Sequence, residues 1–241
     1  MAKLVLKDAR LVAGGADLSC NANTVTIEME VEEQEATSFC SGGYAEVIGG
    51  LKSVTIEAGG QWEAGDPGAI DDAAWARING SAPVPWLAAP VELAVGGVAY
   101  SVGAVDTSYS LLGEVGSVAP WEAEAAGSGA MLRGAVEIAP TAVTASGTST
   151  GRTVTTAAGQ TVRVAVHVLA VSAGASLTVA VERDADLSFA SPDTVATSQT
   201  YTAPGGEVLA VTPNADTAYR VSYTLTGATP SAQFVAVIGA A

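Results

Sequence analysis

The sequence predicts an all-β protein with one short helix. Valine-, threonine- and glycine-rich segments alternate apolar and polar residues along most of its 241 residues. In residues 141–241, Gly, Pro and Asn punctuate these segments at spacings of roughly 8–12 residues, as in β-sandwiches. Only one segment combines helical spacing with helix start and stop residues. The chain is 49% hydrophobic but 5% aromatic, so its core has to be built mainly of Ala and Val, with four Trp as anchors.

Lys3–Ala13 reads as a first strand, closed by Gly14-Gly15 and a turn through Asp17–Ser19. Thr24–Glu32 is a second strand, and the polar stretch Glu33–Gly43 is a mobile loop. Gly49–Ala58 alternates again; Gly59-Gly60 interrupts it, and Gln61–Glu63 resumes after a bulge. The helix spans 67–79: Asp66 is its N-cap, Pro67 its first residue and Asn79-Gly80 its stop. Ile70, Ala74, Trp75 and Ile78 form its buried face, with Asp71, Asp72 and Arg77 turned away. The proline-broken Ala82–Pro90 is an edge strand. Val91–Val95, Val98–Ser110, Val118–Ala126 and Ala130–Ile138 are further strands.

The texture changes at Pro140. Residues 1–140 carry 19 acidic and 6 basic residues, against 6 and 4 in 141–241, so nearly all of the net −15 lies in the first part. Thr141–Gly151 is Ser/Thr/Gly-rich and reads as a linker or an extended first strand. Short strands then recur: Gln160–Ser172, Ser176–Arg183, Ser198–Thr202, Glu207–Thr212, Ala218–Thr226 and Ala232–Ile238. The expectation is two domains, 1–140 and 141–241, the second a β-sandwich dispensable for the first.

The acidic residues are patterned. Glu28, Glu30 and Glu32 alternate with Ile27, Met29 and Val31, which puts three carboxylates in one row on one strand face. A solvated sheet face explains such a row; so does a surface that repels something negative.

Several function classes fall away. At this charge nothing is available to neutralise nucleic-acid phosphates. No apolar run reaches the ~20 residues of a membrane span, and the N-terminus lacks a signal peptide's apolar stretch, so membrane insertion is not expected. Cys20 and Cys40 are too few for a disulfide framework and read as free, partly buried thiols. His167, the single histidine, falls opposite the valine row of its strand, with Arg163 and Ala165, as an ordinary sheet-surface residue. Glu122/Glu124 and Asp184/Asp186 read as strand-face and turn acids, and the glycine doublets as turns. The chain reads as a non-enzyme without cofactor or metal.

Three stretches resemble the major tail proteins, or tail tube proteins, of long-tailed phages infecting actinobacteria: Leu4–Ser19, the acidic strand with its loop and Ile48–Glu57, and Ala125–Gly134 with its Leu-Arg-Gly close. Together they span roughly residues 3–138. The resemblance implies a β-sandwich or half-barrel subunit with one helix, in homo-oligomeric rings of six stacked into a tube in the virion tail. It implies assembly in the bacterial cytoplasm, contact with other tail proteins, and DNA passing through without specific binding. Glu28, Glu30 and Glu32 then become candidate lumen lining, and Glu33, Glu35, Thr37, Phe39, Gly42 and Gly43 a candidate loop between rings. Residues 141–241 would form an outer domain. Rival readings are a capsid decoration protein and a secreted carbohydrate-binding module.

Overall fold

A computed structural model describes residues 5–65 and 69–241. Lys3, at the start of the expected first strand, and Asp66 and Pro67, the expected helix start, lie outside the described residues. The first part runs β1 (Arg10–Ala13), β2 (Ala16–Asp17), β3 (Ala22–Glu35), β4 (Val47–Gln61), α1 (Ile70–Ile78), β5 (Val84–Ala89), β6 (Val98–Leu111), β7 (Pro120–Gly127) and β8 (Leu132–Ile138). The two-residue strands β9 (Ala142–Val143), β10 (Gly147–Thr148) and β11 (Arg152–Thr153) occupy the Ser/Thr-rich stretch. β12 (Val162–Val171), β13 (Ser176–Asp184), β14 (Asp193–Tyr201), β15 (Gly205–Val211), β16 (Ala218–Thr226) and β17 (Ala232–Ala240) complete the chain.

A 12-stranded sheet has the order β15-β12-β17-β8-β6-β5-β1-β2. It forks at β6, whose Val98–Ser101 pairs with β8 while Ala104–Leu111 pairs with β7. From β7 the fork continues through β4 to β3. The second, five-stranded sheet is β10-β16-β13-β14, with β11 also on β16. The fold is all-β with one short helix.

Three stacked cores follow from strand alternation. Val162, Val164, Val166 and Val168 of β12 join Phe234 and Ile238 against Leu177, Val179 and Val221 of the second sheet. On the opposite face, Ala165, Val235 and Val237 pack on Val12, Leu87, Leu132 and Val136. Leu11, Trp86 and Val102 then face Ile56, Trp121 and the helix residues Ile70 and Ala74. β12 and β17 are therefore covered on both sides.

The two parts of the chain meet across the expected boundary. The texture does change at residue 140, but β17 pairs directly with β8, Ala236–Ala240 against Arg133–Ile138. The middle core draws on both parts of the chain. An ion pair between half-buried Arg152 and buried Glu137 also crosses the boundary.

Local departures have local causes. Residues 5–9 find no ladder partner, so the first strand is only Arg10–Ala13. Pro85 lies in a strand flanked on both sides, by β1 and β6. Its carbonyl accepts from Gly14 N–H, just past the end of β1, so its missing N–H falls where the β1 ladder ends. β4 continues through Gly59-Gly60, and the extra residue is Asn23 on β3. Val91–Val95 forms no strand.

In α1 the first-turn Asp71 and Asp72 favour the helix dipole. Trp75 is 62% exposed, so it does not belong to the buried face. Arg77, expected outside, turns inward: its Nε donates to Asp106 at 2.8 Å, and its guanidinium lies over Trp86. Trp86 Nε1 donates to the other Asp106 oxygen, so one carboxylate anchors helix and sheet. Asp71 does the same from the helix start, accepting from Trp62 Nε1 and the Tyr109 hydroxyl; burial, then this carboxylate, pushes the phenol's pKa up.

His167 is fully buried, which overturns the surface reading. Its face of β12 is the one that meets the middle core. β15 approaches β5 closely here: a Cβ on Gly206 would overlap Val166 O and the Pro85 ring, and one on Gly15 (φ +87°) would overlap the Gly205 backbone. Neither ring nitrogen of His167 has a hydrogen-bond partner, and burial pushes its pKa down to about 3. In the unfolded chain the imidazole titrates near ~6.5. Between these values the unfolded state binds a proton that the folded state refuses, so stability is full above pH 6.5 and declines toward pH 3. His167→Leu is expected to raise the melting temperature, with an advantage that grows by about 2 kcal/mol between pH 7 and pH 5. Thermal unfolding of both proteins at the two pH values checks this; parallel curves would contradict it.

Candidate functional site: an acidic sheet face and a projecting arm

β3 and β4 pair over nearly their whole length, but β7 covers only Thr55–Gln61 of β4. Past that point the hairpin has no layer on either face. From Glu28 to Ser53 every residue is exposed except Ser41, which is half-buried. The hairpin is an arm projecting from the body.

Glu28, Glu30 and Glu32 lie on one face of this arm, opposite or beside Thr55 and Ser53. Their apolar counterparts Val25 and Ile27 are half-buried against the inner core, while Met29 and Val31, farther out, are exposed. Register extends the acidic face beyond what one strand could reveal. Thr26 opposes Glu57, Glu57 opposes Glu124, and Gly59 opposes Glu122. Ser108 and Ser110 of β6 continue the row beside Glu124 and Glu122. A trough of about 390 Å³, lined by Thr24, Thr26, Glu57, Ser108, Glu122 and Glu124 among others, runs across the face.

Six carboxylates thus share one surface of β3, β4 and β7. The single cation of these strands, Lys52, opposes Val31 and so projects from the other face. Glu57 and Glu124 sit directly opposite each other, an arrangement that destabilises a sheet. Ser, Thr and Glu on this side are backed by Val54, Ile56, Ala58, Trp121, Ala123 and Ala125 on the core side. The face is built firmly and left wet.

The expected inter-ring loop divides in two. Glu33 and Glu35 are strand residues opposing Gly49 and Val47, and by alternation they face away from Glu32. The tip proper is 36–46. Thr37 Oγ1 accepts from Glu46 N–H at 3.0 Å, Ser38 and Ser41 close a turn, and Gly42 and Gly43 take positive φ. Phe39 projects fully into solvent, and Tyr44 is 80% exposed. Cys20 and Cys40 are exposed, not partly buried.

The other sequence candidates fold back on their own turns. Asp184 accepts from Ala185 and Ser191 N–H. Asp186 accepts from Ser188, which holds its carboxyl below the usual carboxylate range. Among the described residues no group of three or more His, Cys, Asp or Glu is placed to hold a metal ion. Among the described residues no helix is long and apolar enough to cross a membrane.

No family model matches the sequence, and no curated protein does. Solved structures similar to it include a chain of the virion of a native gene transfer agent particle, at 22% identity and a TM-score of 0.46, over 55% of this chain and 100% of that one. A chain from the tail of an empty gene transfer agent particle, refined with C6 symmetry, gives 21% and 0.43 over 53% and 94%. The Dit protein of phage SPP1, described as a hub of the adsorption apparatus of phages infecting Gram-positive hosts, gives 11% and 0.38 over 98% and 100%.

Proposed function

We propose that this chain is a structural virion protein that polymerises as stacked rings into a phage tail tube, with its acidic sheet face toward the lumen. The observation that carries the proposal is the six-carboxylate face, to which β3, β4 and β7 contribute no cation, Lys52 projecting from the other side, and which includes a like-charge pair held directly opposite. A wall past which DNA slides has to repel phosphates and offer them no ion pair, because ion pairing with release of counterions is what makes DNA stick. The resemblance in the opening strand, the acidic strand and Ala125–Gly134 points to the same role.

The arm and the free edges fit such an assembly. β3 pairs on one side only, and Val47–Val54 of β4 has an open edge, so both are templates for a neighbouring copy. The second sheet lies three cores away from the acidic face, which supports an outer position for it in such a tube. Rings of six, as the resemblance implies, would bring 36 carboxylates of this face into each ring, by the arithmetic of six copies. Negative-stain microscopy of the concentrated protein is expected to show rings or tubes of uniform diameter. Dispersed single copies under all assembly conditions would refute the proposal.

A further inference from the structure

Two strand margins of the body lie beside each other without pairing. β1 and β3 stand at the ends of the path β1-β5-β6-β7-β4-β3, whose five pairings are all antiparallel, so β1 and β3 also run antiparallel. β3 has β4 on one side only, and β2 covers just Val12 and Ala13 of β1. Residues 5–9 continue β1 toward the N-terminus and bound the gap. Leu6 and Ala9 line an apolar cavity of about 370 Å³ together with Val25 and Ile27 of β3. The bend at Lys7-Asp8 acts as a bulge, since it sends both of these side chains, three positions apart, to the same cavity. A second cavity, of about 190 Å³, is lined by Lys7 and by Thr24, which also lines the acidic trough. Val5 and Leu6 are 71% and 60% exposed, and Lys7 makes no ion pair among the described residues.

We infer that residues 5–9 are a strap that closes on the free edge of β3, extending β1 by a short antiparallel pairing and covering the edge that a neighbouring copy would use. The side chains already match the closed form. Leu6 and Ala9 meet the apolar side of β3, and Lys7, the one cation of residues 5–9, meets the side that carries the acids. Closing gains ladder hydrogen bonds and buries Leu6, and it costs the conformational freedom of a terminal segment. These opposing terms are of similar size, so both forms are populated. Closed, the strap protects the subunit from edge-to-edge association; open, as in this structure, it leaves β3 as a template. Polymerisation then starts from the open fraction alone, and the strap sets the concentration at which free subunits begin to assemble. This rests on the tube reading and names the element that restrains it.

Hydrogen exchange on the dilute, unassembled protein tests closure directly. The amides of residues 6–9 are expected to exchange about tenfold or more below the unstructured rate. Leu6→Pro, at an exposed position, removes one donor and breaks the strap without touching the core. It should abolish this protection and speed exchange at the outward amides of Ala22–Ile27. The same variant should polymerise after a lag several-fold shorter, read by light scattering, while Leu6→Val behaves as wild type. Lys7→Glu, which sets a carboxylate against the acidic side of β3, should shorten the lag in the same direction. Unprotected exchange of residues 6–9, or lags of Leu6→Pro and Lys7→Glu equal to that of the wild type, overturns the strap. A wild type that shows the protection yet forms no rings or tubes leaves the strap standing and overturns the tube reading.

Discussion

Replacing Glu28, Glu30 and Glu32 together by lysine is expected to leave tails intact and abolish DNA delivery. The three side chains are exposed, on the face away from the core, so each substitution should change stability by no more than about 0.5 kcal/mol. Each lysine, however, offers phosphates an ion pair, and the proposed ring would multiply the offer by its subunit number. The readout is ejection of DNA from particles carrying the variant, scored beside micrographs of their tails. A second variant separates function from folding. Glu124→Lys converts the opposed Glu57–Glu124 pair into an ion pair, worth ~0.2–1 kcal/mol. That protein should melt at a higher temperature and yet deliver less DNA. Intact tails with normal ejection in both variants would mean that this face does not meet DNA.

Deleting residues 141–241 is expected to be ruinous, contrary to the independence that sequence texture suggests. The cut removes β17 from the edge of β8 and uncovers Val12, Leu87, Leu132 and Val136, all now at most 1% exposed. At ~1.5–3 kcal/mol for each large side chain, the loss is comparable with the 5–15 kcal/mol that holds a domain folded. It also leaves an apolar, unpaired strand edge, which is an aggregation template. A 1–140 protein should therefore be insoluble or lack cooperative unfolding by circular dichroism. If it is soluble, cooperative and still polymerises, the remainder is an appendage after all.

What was legible in the sequence was whatever a single strand decides by itself. β16 keeps its expected bounds, Ala218–Thr226, with Tyr219, Val221 and Leu225 buried in one row. The acidic row of β3 was readable for the same reason. Register was not readable: Glu57, Glu122 and Glu124 alternate correctly on their own strands, but only pairing brings them beside Glu28. Glu33–Glu35 reads as loop by polarity, and is held as strand by Val47–Gly49 across the hairpin. His167 was misplaced because alternation assumes one wet face. The signal against that assumption was present, since Val164–Val168 is apolar apart from the histidine, as in strands buried on both sides. Arg77 was misplaced because Asp106, its partner, is 29 residues away.

The position of β17 has a consequence for the order of events during synthesis. The last strand of the chain is inserted between β8 and β12, in the interior of the large sheet and not at its margin. Chains emerge from the ribosome N-terminus first, at ~5–20 residues per second. The acidic arm and its hairpin partners are therefore exposed to the cell before the sheet that supports them can close. Closure waits for residues 232–240, which follow β1–β16 in the chain. A product truncated before β17 lacks the strand that joins β8 to β12, so the body from which the arm projects stays open until residues 232–240 have been made.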